Sequence, residues 1–134
     1  MLIITKPVNS IKTEYLYWTL IIVLALFFTL SGFWEITKNP ATYPKTLKMG
    51  YPPYFITTLG ISKICGAVVL LIPNLKRLKE WAFAGFTFDV IYAFISGLAI
   101  SSYADCIKAT IVFCILLLTY CLFTNKVPAI DSFK

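Results

Sequence analysis

Two ionisable residues, Lys63 and Asp89, lie deep inside long apolar stretches of the sequence. They flank a shared basic turn: Lys63 lies ten residues before Pro73, and Asp89 lies nine residues after Glu80. If both stretches are helices that rise about 1.5 Å per residue, each charge lies about 14–15 Å from the turn. This depth is close to the midplane of a hydrocarbon core about 30 Å thick. Opposite charges at one depth on neighbouring helices predict an intramembrane ion pair.

Both charges lie on predicted helix faces that are rich in small residues. Positions three and four apart share one face of a helix, and small residues allow membrane helices to approach closely. An isolated charge at the bilayer centre costs about 2.5–3.5 kcal/mol, so we expect both side chains to point toward protein. The predicted helix-packing residues are Gly60, Gly66, Ala82, Gly85 and Ala93.

The predicted pair has two interpretations. It can be a buried ion pair that only fixes the register of two helices, or it can bind a ligand or a proton, because intramembrane charges are functional candidates by default. For a ligand, the expected cavity lining comprises Tyr92, Ser96 and Gly66 around the pair. Lys63 could then donate a hydrogen bond to a carbonyl of a lipophilic molecule such as a quinone.

The sequence offers no further catalytic constellation. It contains no histidine, which excludes imidazole-ligated haem, most zinc and copper sites and histidine acid–base catalysis. None of the four cysteines forms a Cys-x-x-Cys motif, the usual signature of thiol redox chemistry. We therefore expect no catalytic residues, no metal and no cofactor other than a quinone, and an enzymatic function is disfavoured.

The composition is typical of a protein that lies within a membrane. Of the 134 residues, 59% are apolar and 13% are charged, the latter about half the usual fraction in soluble domains. Apolar runs long enough to span a bilayer predict an all-α, integral membrane four-helix bundle, with a single domain over 1–134. Its helices are predicted over about 15–35, 54–72, 81–100 and 105–123. The predicted interface anchors are Trp34, Glu35, Lys79, Glu80 and Trp81.

The basic residues lie mainly in the loops between the apolar runs. The side that holds both termini would carry seven of them, against four on the opposite side. The positive-inside rule therefore predicts a multi-pass protein of the cytoplasmic (inner) membrane with both termini in the cytoplasm. Topology and lipid headgroups also explain the net charge of +6, so we expect the lipid bilayer as partner and no nucleic acid.

Three stretches together resemble the DoxX-like family of small membrane proteins. They are Gly50–Phe55, Leu59–Ala67 with Leu70–Pro73, and Arg77–Phe86. The most specific part is Leu-Lys-Glu-Trp-Ala-x-Ala-Gly at positions 78–85. The resemblance implies a four-helix membrane bundle in a family named after a membrane subunit linked to quinol oxidation. Many relatives read Ser-His where this chain reads Ser96-Gly97, so a mechanism that needs that imidazole is not expected here.

Three functions are compatible with these features. The first is a non-catalytic accessory protein or subunit of a membrane complex, such as a respiratory or quinone-linked one, with other membrane subunits as partners. The second is a binder or carrier of a small lipophilic molecule such as a quinone, in a cavity around Lys63 and Asp89. The third, a proton conductor, is weakest because one pair makes no path across the bilayer. A lipid-sized cavity beside Lys63 would favour the binder, and a tightly packed centre would favour the subunit.

Overall fold

A computed structural model describes residues 10–126, and this part of the chain is helical with short connections. Four of its five helices are long and apolar enough to cross a membrane, and only about a third of each such segment is buried within the bundle. The prediction of an all-α, multi-pass membrane protein is confirmed. The helices are α1 (Ser10–Ile36), α2 (Tyr43–Lys48), α3 (Pro53–Leu71), α4 (Lys76–Ala99) and α5 (Tyr103–Lys126).

The four long helices pack as two close pairs, α1 with α3 and α4 with α5. Contacts of α3 with α4 and of α1 with α5 complete the bundle. Phe28 on α1 stacks on Phe86 of α4, with ring centroids 3.8 Å apart and planes inclined by 14°. Because this stack is buried at the centre, it links the two pairs through apolar contact. The largest fully buried side chains are Phe28, Phe83, Ile21, Leu24, Ile56, Leu70, Leu116 and Thr119.

Glycine allows α1 and α3 to touch through their backbones. A Cβ atom added to Gly32 would lie 2.5 Å from the carbonyl oxygen of Gly60, and one added to Gly60 would lie 2.6 Å from that of Gly32. Real Cβ atoms do not approach backbone oxygens this closely, so neither position accepts a larger residue without separating the helices. Gly60 thus has the packing role predicted for it, and its partner is a glycine of α1.

The start of α4 differs from the prediction. The helix begins at Lys76, not near 81, so the basic turn forms its first turns. Two features explain the difference: Asn74, with a φ of +68°, turns the chain directly after Pro73, and lysine, arginine and glutamate are good helix formers. Helices α1 and α5 also extend beyond their predicted bounds, as α1 begins at Ser10 and α5 covers Tyr103–Lys126.

The predicted interface anchors behave differently from one another. Trp81 is 78% exposed and Glu80 is exposed as well, as expected at a membrane boundary. Lys79, which was also expected to be an interface anchor, is instead only 4% exposed, so its side chain is buried within the bundle. Its Nζ lies 5.3 Å from the ring centroid of Trp18 and 6.0 Å from that of Tyr17, a geometry for cation–π attraction. Because α4 begins at Lys76, Lys79 belongs to the helix, and its side chain lies beside these two rings of α1.

Candidate functional site

The glycine contact between α1 and α3 determines where the candidate site forms. Glu35 follows Gly32 by three residues and Lys63 follows Gly60 by three residues, so each charge shares a helix face with its glycine. The added Cβ of Gly32 would lie 3.2 Å from Cβ of Lys63, and that of Gly60 would lie 3.1 Å from Cβ of Glu35. The backbone approach therefore brings these two charged side chains together.

Lys63 is the centre of a buried polar cluster. It is the eleventh of nineteen residues in α3 and is 8% exposed. Its Nζ donates to Glu35 Oε1 at 2.6 Å and Ser31 Oγ at 3.3 Å, and lies 3.4 Å from Asp89 Oδ1. An ammonium group has three hydrogens, and these three acceptors can use all of them.

Asp89 joins the cluster from α4, where it is the fourteenth of twenty-four residues. The structure thus places the predicted partners, Lys63 and Asp89, in direct contact. It also shows that the shortest ion pair of the lysine is with Glu35. Glu35 was expected to be an interface anchor, and that expectation is wrong: its side chain is only 15% exposed. Its second oxygen, Oε2, is buried and has no hydrogen-bond partner among the described residues.

A partly open cleft of about 570 Å³ lies beside this cluster. Glu35, Lys63 and Asp89 contribute to its lining, and we call this part of the lining the floor. Residues of α2 and of the beginning of α5 also line the cleft, and we call this part of the lining the mouth. Its walls contain six aromatic side chains, Phe27, Trp34, Tyr51, Phe55, Phe88 and Tyr92.

Charged side chains also surround the mouth. Lys45 of α2 pairs with Asp105 of α5, and the hydroxyl of Ser102 donates to the same carboxylate. Lys108 lies 4.0 Å from Asp105 and is largely exposed. Since α2 is held to α5 through this pair, the short helix covers part of the cleft.

The predicted cavity lining is partly correct. Tyr92 lines the cleft. Ser96 lies behind the wall and shares a hydrogen bond of 2.8 Å with the hydroxyl of Tyr51, which lines the cleft in its place. Gly66 faces the ring of Phe86, where an added Cβ would lie 2.7 Å from Cζ. Gly66 is therefore a packing residue and the prediction that it lines the cavity is wrong.

Two of the residues predicted to pack helices line the cleft instead. An added Cβ at Gly85 would meet nothing within 4 Å, and both Gly85 and Ala93 belong to the cleft lining. The prediction of close packing is therefore wrong for Gly85. Ala82, in contrast, packs against the apolar core. Gly85 and Ala93 thus give α4 an open wall at the cleft rather than a contact between helices.

The chemistry available at the cleft is ionic and hydrogen-bonding. Within residues 10–126, no group of three or more His, Cys, Asp or Glu side chains could hold a metal ion. The floor combines one ammonium group with two carboxylates, which is a set suited to binding a polar group or a proton at depth.

Searches of curated proteins and of solved structures found no match to this chain. The model of the DoxX-like family matches residues 19–120. That range includes the second and third membrane-crossing segments completely and most of the first and fourth, together with the whole polar cluster. The chain therefore belongs to the DoxX-like family.

Proposed function

We propose that this membrane protein binds a small lipophilic molecule in the cleft between α1 and α4. The observation that carries the proposal is the cleft of about 570 Å³ beside a charged cluster at mid-helix. Sites for small molecules are usually cavities of about 300–1,000 Å³ with mostly apolar walls and a few converging polar groups. The aromatic walls and the Glu35–Lys63–Asp89 floor have this composition.

A ligand for this cleft has an apolar body and one polar group. The body would lie against the aromatic walls, and the polar group would reach the floor. A quinone ring would fit such walls, but its carbonyl needs a hydrogen-bond donor. Lys63 already donates to Glu35 and Ser31 and pairs with Asp89, so a quinone carbonyl would have to compete with these contacts, of which Ser31 at 3.3 Å is the one without charge. The contacts therefore disfavour the direct lysine–quinone bond that the sequence suggested.

Gly85→Leu provides a test that fills the cleft without straining the fold. The new side chain would enter space in which a Cβ meets no atom within 4 Å. Ala84→Leu is the matched control. Ala84 is next to Gly85 and is exposed, so this substitution adds a comparable side chain outside the cleft lining. Each protein would be extracted from its native membrane, and the retained small molecules would be identified by native mass spectrometry.

We expect a lipophilic molecule to accompany the wild type and Ala84→Leu, and to be lost from Gly85→Leu. Ala84→Leu should retain the thermal stability of the wild type in detergent, and Gly85→Leu should be at least as stable as the wild type. The proposal is contradicted if the three proteins carry the same small molecules in the same amounts, or if none of them carries any beyond bulk phospholipid.

The direct contact between Lys63 and Asp89 favours a second candidate, the accessory subunit. In that function the cluster would only fix the arrangement of α1, α3 and α4. Chemical crosslinking in the native membrane followed by purification would then recover a specific membrane protein, and Gly85→Leu would leave that recovery unchanged. If Gly85→Leu instead lost both the crosslinked protein and the small molecule, binding of the partner would depend on binding of the ligand.

We further propose that both termini lie in the cytoplasm and that the mouth of the cleft opens on the opposite side. The unequal number of basic residues on the two sides supports this orientation. An impermeant maleimide should label Lys48→Cys, at the end of α2, in intact cells. It should label Arg77→Cys, at the start of α4, only after the cells are made permeable. The reverse pattern of labelling would exclude this orientation.

A further inference from the structure

We propose that the ligand of the cleft is a lipophilic amine, bound as its ammonium ion by Asp89 at the floor. This inference rests on the proposed function and specifies the chemical class of the ligand. Three observations carry it: the charges of the floor, the direction of its hydrogen bonds, and the aromatic side chains beside the carboxylates.

While both carboxylates are ionised, the charges of the floor do not balance. Glu35 and Asp89 are two carboxylates, and Lys63 is the one cation that the structure shows in contact with them. With all three groups ionised, the cluster has a formal charge of −1. An uncompensated charge at this depth is costly. A ligand that brings one positive charge would give two cations and two carboxylates, whereas a neutral or anionic ligand would leave the imbalance or increase it.

The hydrogen bonds of the floor leave a carboxylate oxygen of Asp89 open to a donor from the ligand. Lys63 donates hydrogen bonds to Glu35 and Ser31 and forms an ion pair with Asp89. Asp89 uses Oδ1 for this contact, and no described residue donates a hydrogen bond to its Oδ2. A carboxylate oxygen only accepts. An ammonium group with its N–H hydrogens can satisfy this oxygen, and a carbonyl or ether oxygen cannot.

Aromatic rings border the acidic end of the cleft. Phe88 precedes Asp89, Tyr92 follows it by one turn, and both line the cleft. Their rings are nearly parallel, with centroids 6.5 Å apart. Trp34 stands next to Glu35 and lines the same space. Aromatic faces attract cations, most strongly where water is excluded, so these walls suit an alkylammonium group as well as its apolar body.

The test compares two ligands that share one skeleton, 4-phenylbutylamine and 4-phenylbutanol. Both donate a hydrogen bond, but only the amine is charged at pH 7. Binding to the full-length protein in uncharged detergent micelles would be followed by isothermal titration calorimetry. Asp89→Asn removes the charge at nearly constant volume, and Glu80→Gln, exposed and outside the cleft, is the matched control. Comparing variants cancels the partition of each ligand into micelles.

We expect the wild type and Glu80→Gln to bind the amine about tenfold or more tightly than the alcohol, which corresponds to at least about 1.4 kcal/mol. Asp89→Asn should lose this preference while its affinity for the alcohol changes by less than about twofold. If Asp89→Asn does not fold, Glu35→Gln removes the same charge from the floor and should have the same effect.

Two outcomes separate the inference from the proposed function. If the alcohol binds as tightly as the amine and Gly85→Leu abolishes both, the cleft binds ligands but the amine inference is overturned. If neither ligand binds the wild type, and Gly85→Leu also leaves the molecules that co-purify unchanged, the proposed function itself is wrong.

Discussion

Replacing Lys63 with Met should destabilise the protein by about 3–5 kcal/mol, the usual cost of removing one partner from a buried ion pair. The substitution retains most of the apolar stem of the lysine. It leaves Glu35 and Asp89 facing each other without their shared cation. The free energy of unfolding would be measured by denaturant titration in mixed micelles. An unchanged value would show that the cluster contributes nothing to the stability of the fold.

Because the cluster has three charged members, Glu35, Lys63 and Asp89, it changes the stability expected of combined substitutions. With Lys63 and Asp89 alone, removing both residues would recover most of the loss. Since Glu35 is the closer partner, the double variant Lys63→Met, Asp89→Leu should remain destabilised, because it leaves Glu35 buried alone. Adding Glu35→Gln should restore much of the stability. Asp89→Leu alone should cost less than Lys63→Met, because a neutral Lys63–Glu35 pair remains.

Lys108→Met is the matched control for this set. The side chain of Lys108 is 76% exposed and lies 4.0 Å from Asp105. Exposed ion pairs contribute roughly 0–1 kcal/mol, so this variant should unfold like the wild type. If Lys108→Met and Lys63→Met were equally destabilised, the loss would reflect the introduced methionine and not the buried cluster.

The architecture and the Lys63–Asp89 contact could be predicted because both follow from lengths that can be counted along the sequence. Apolar run length indicates membrane helices, and residue counting from a shared turn gives depth. Both measures tolerate errors of a few residues at helix ends. The start of α4 at Lys76 therefore changed the role of Lys79 but left Asp89 near the middle of its helix.

Glu35 shows where the sequence was not sufficient. It stands one residue before the end of α1, a position typical of the interface, so an aqueous role was the simplest interpretation. Its true environment depends on which helix packs against α1. The signal that could have identified it is the repeated spacing Gly32-x-x-Glu35 and Gly60-x-x-Lys63. This spacing places a glycine and a charged residue on one face of each helix, and the charges of the two helices have opposite signs.

Gly85 shows a second limit of the sequence. A small residue on a membrane helix is compatible with close packing and equally with an open wall. The two cases differ only in what lies opposite, which for Gly60 is the backbone of α1 and for Gly85 is the cleft. Gly60, on the helix face of Lys63, therefore packs against another helix, whereas Gly85, on the helix face of Asp89, lines open space.

Gly60→Leu should have an effect at least as large as the loss of Lys63, because the clash is with backbone. The first atom of the new side chain would lie 2.6 Å from the carbonyl oxygen of Gly32 and 2.9 Å from Cγ1 of Ile36. Overpacking usually costs about 1–3 kcal/mol, and a rigid backbone on the other side allows little relief. We expect about 3 kcal/mol or more, measured by the same denaturant titration, with reduced accumulation in the membrane.

Gly85→Leu is the matched control for Gly60→Leu, because both glycines lie inside a membrane helix and both are replaced by the same side chain. Leucine is a better helix former than glycine by roughly 0.5–1 kcal/mol, a gain that both variants share. The gain should appear in full at Gly85, which has open space, and should be outweighed at Gly60. Separating α1 from α3 would also withdraw Glu35 from Lys63, so Gly60→Leu should lose ligand binding together with stability. Gly85→Leu should lose ligand binding without losing stability. Equal stability of the two variants would show that the Gly32–Gly60 contact does not hold the polar cluster together.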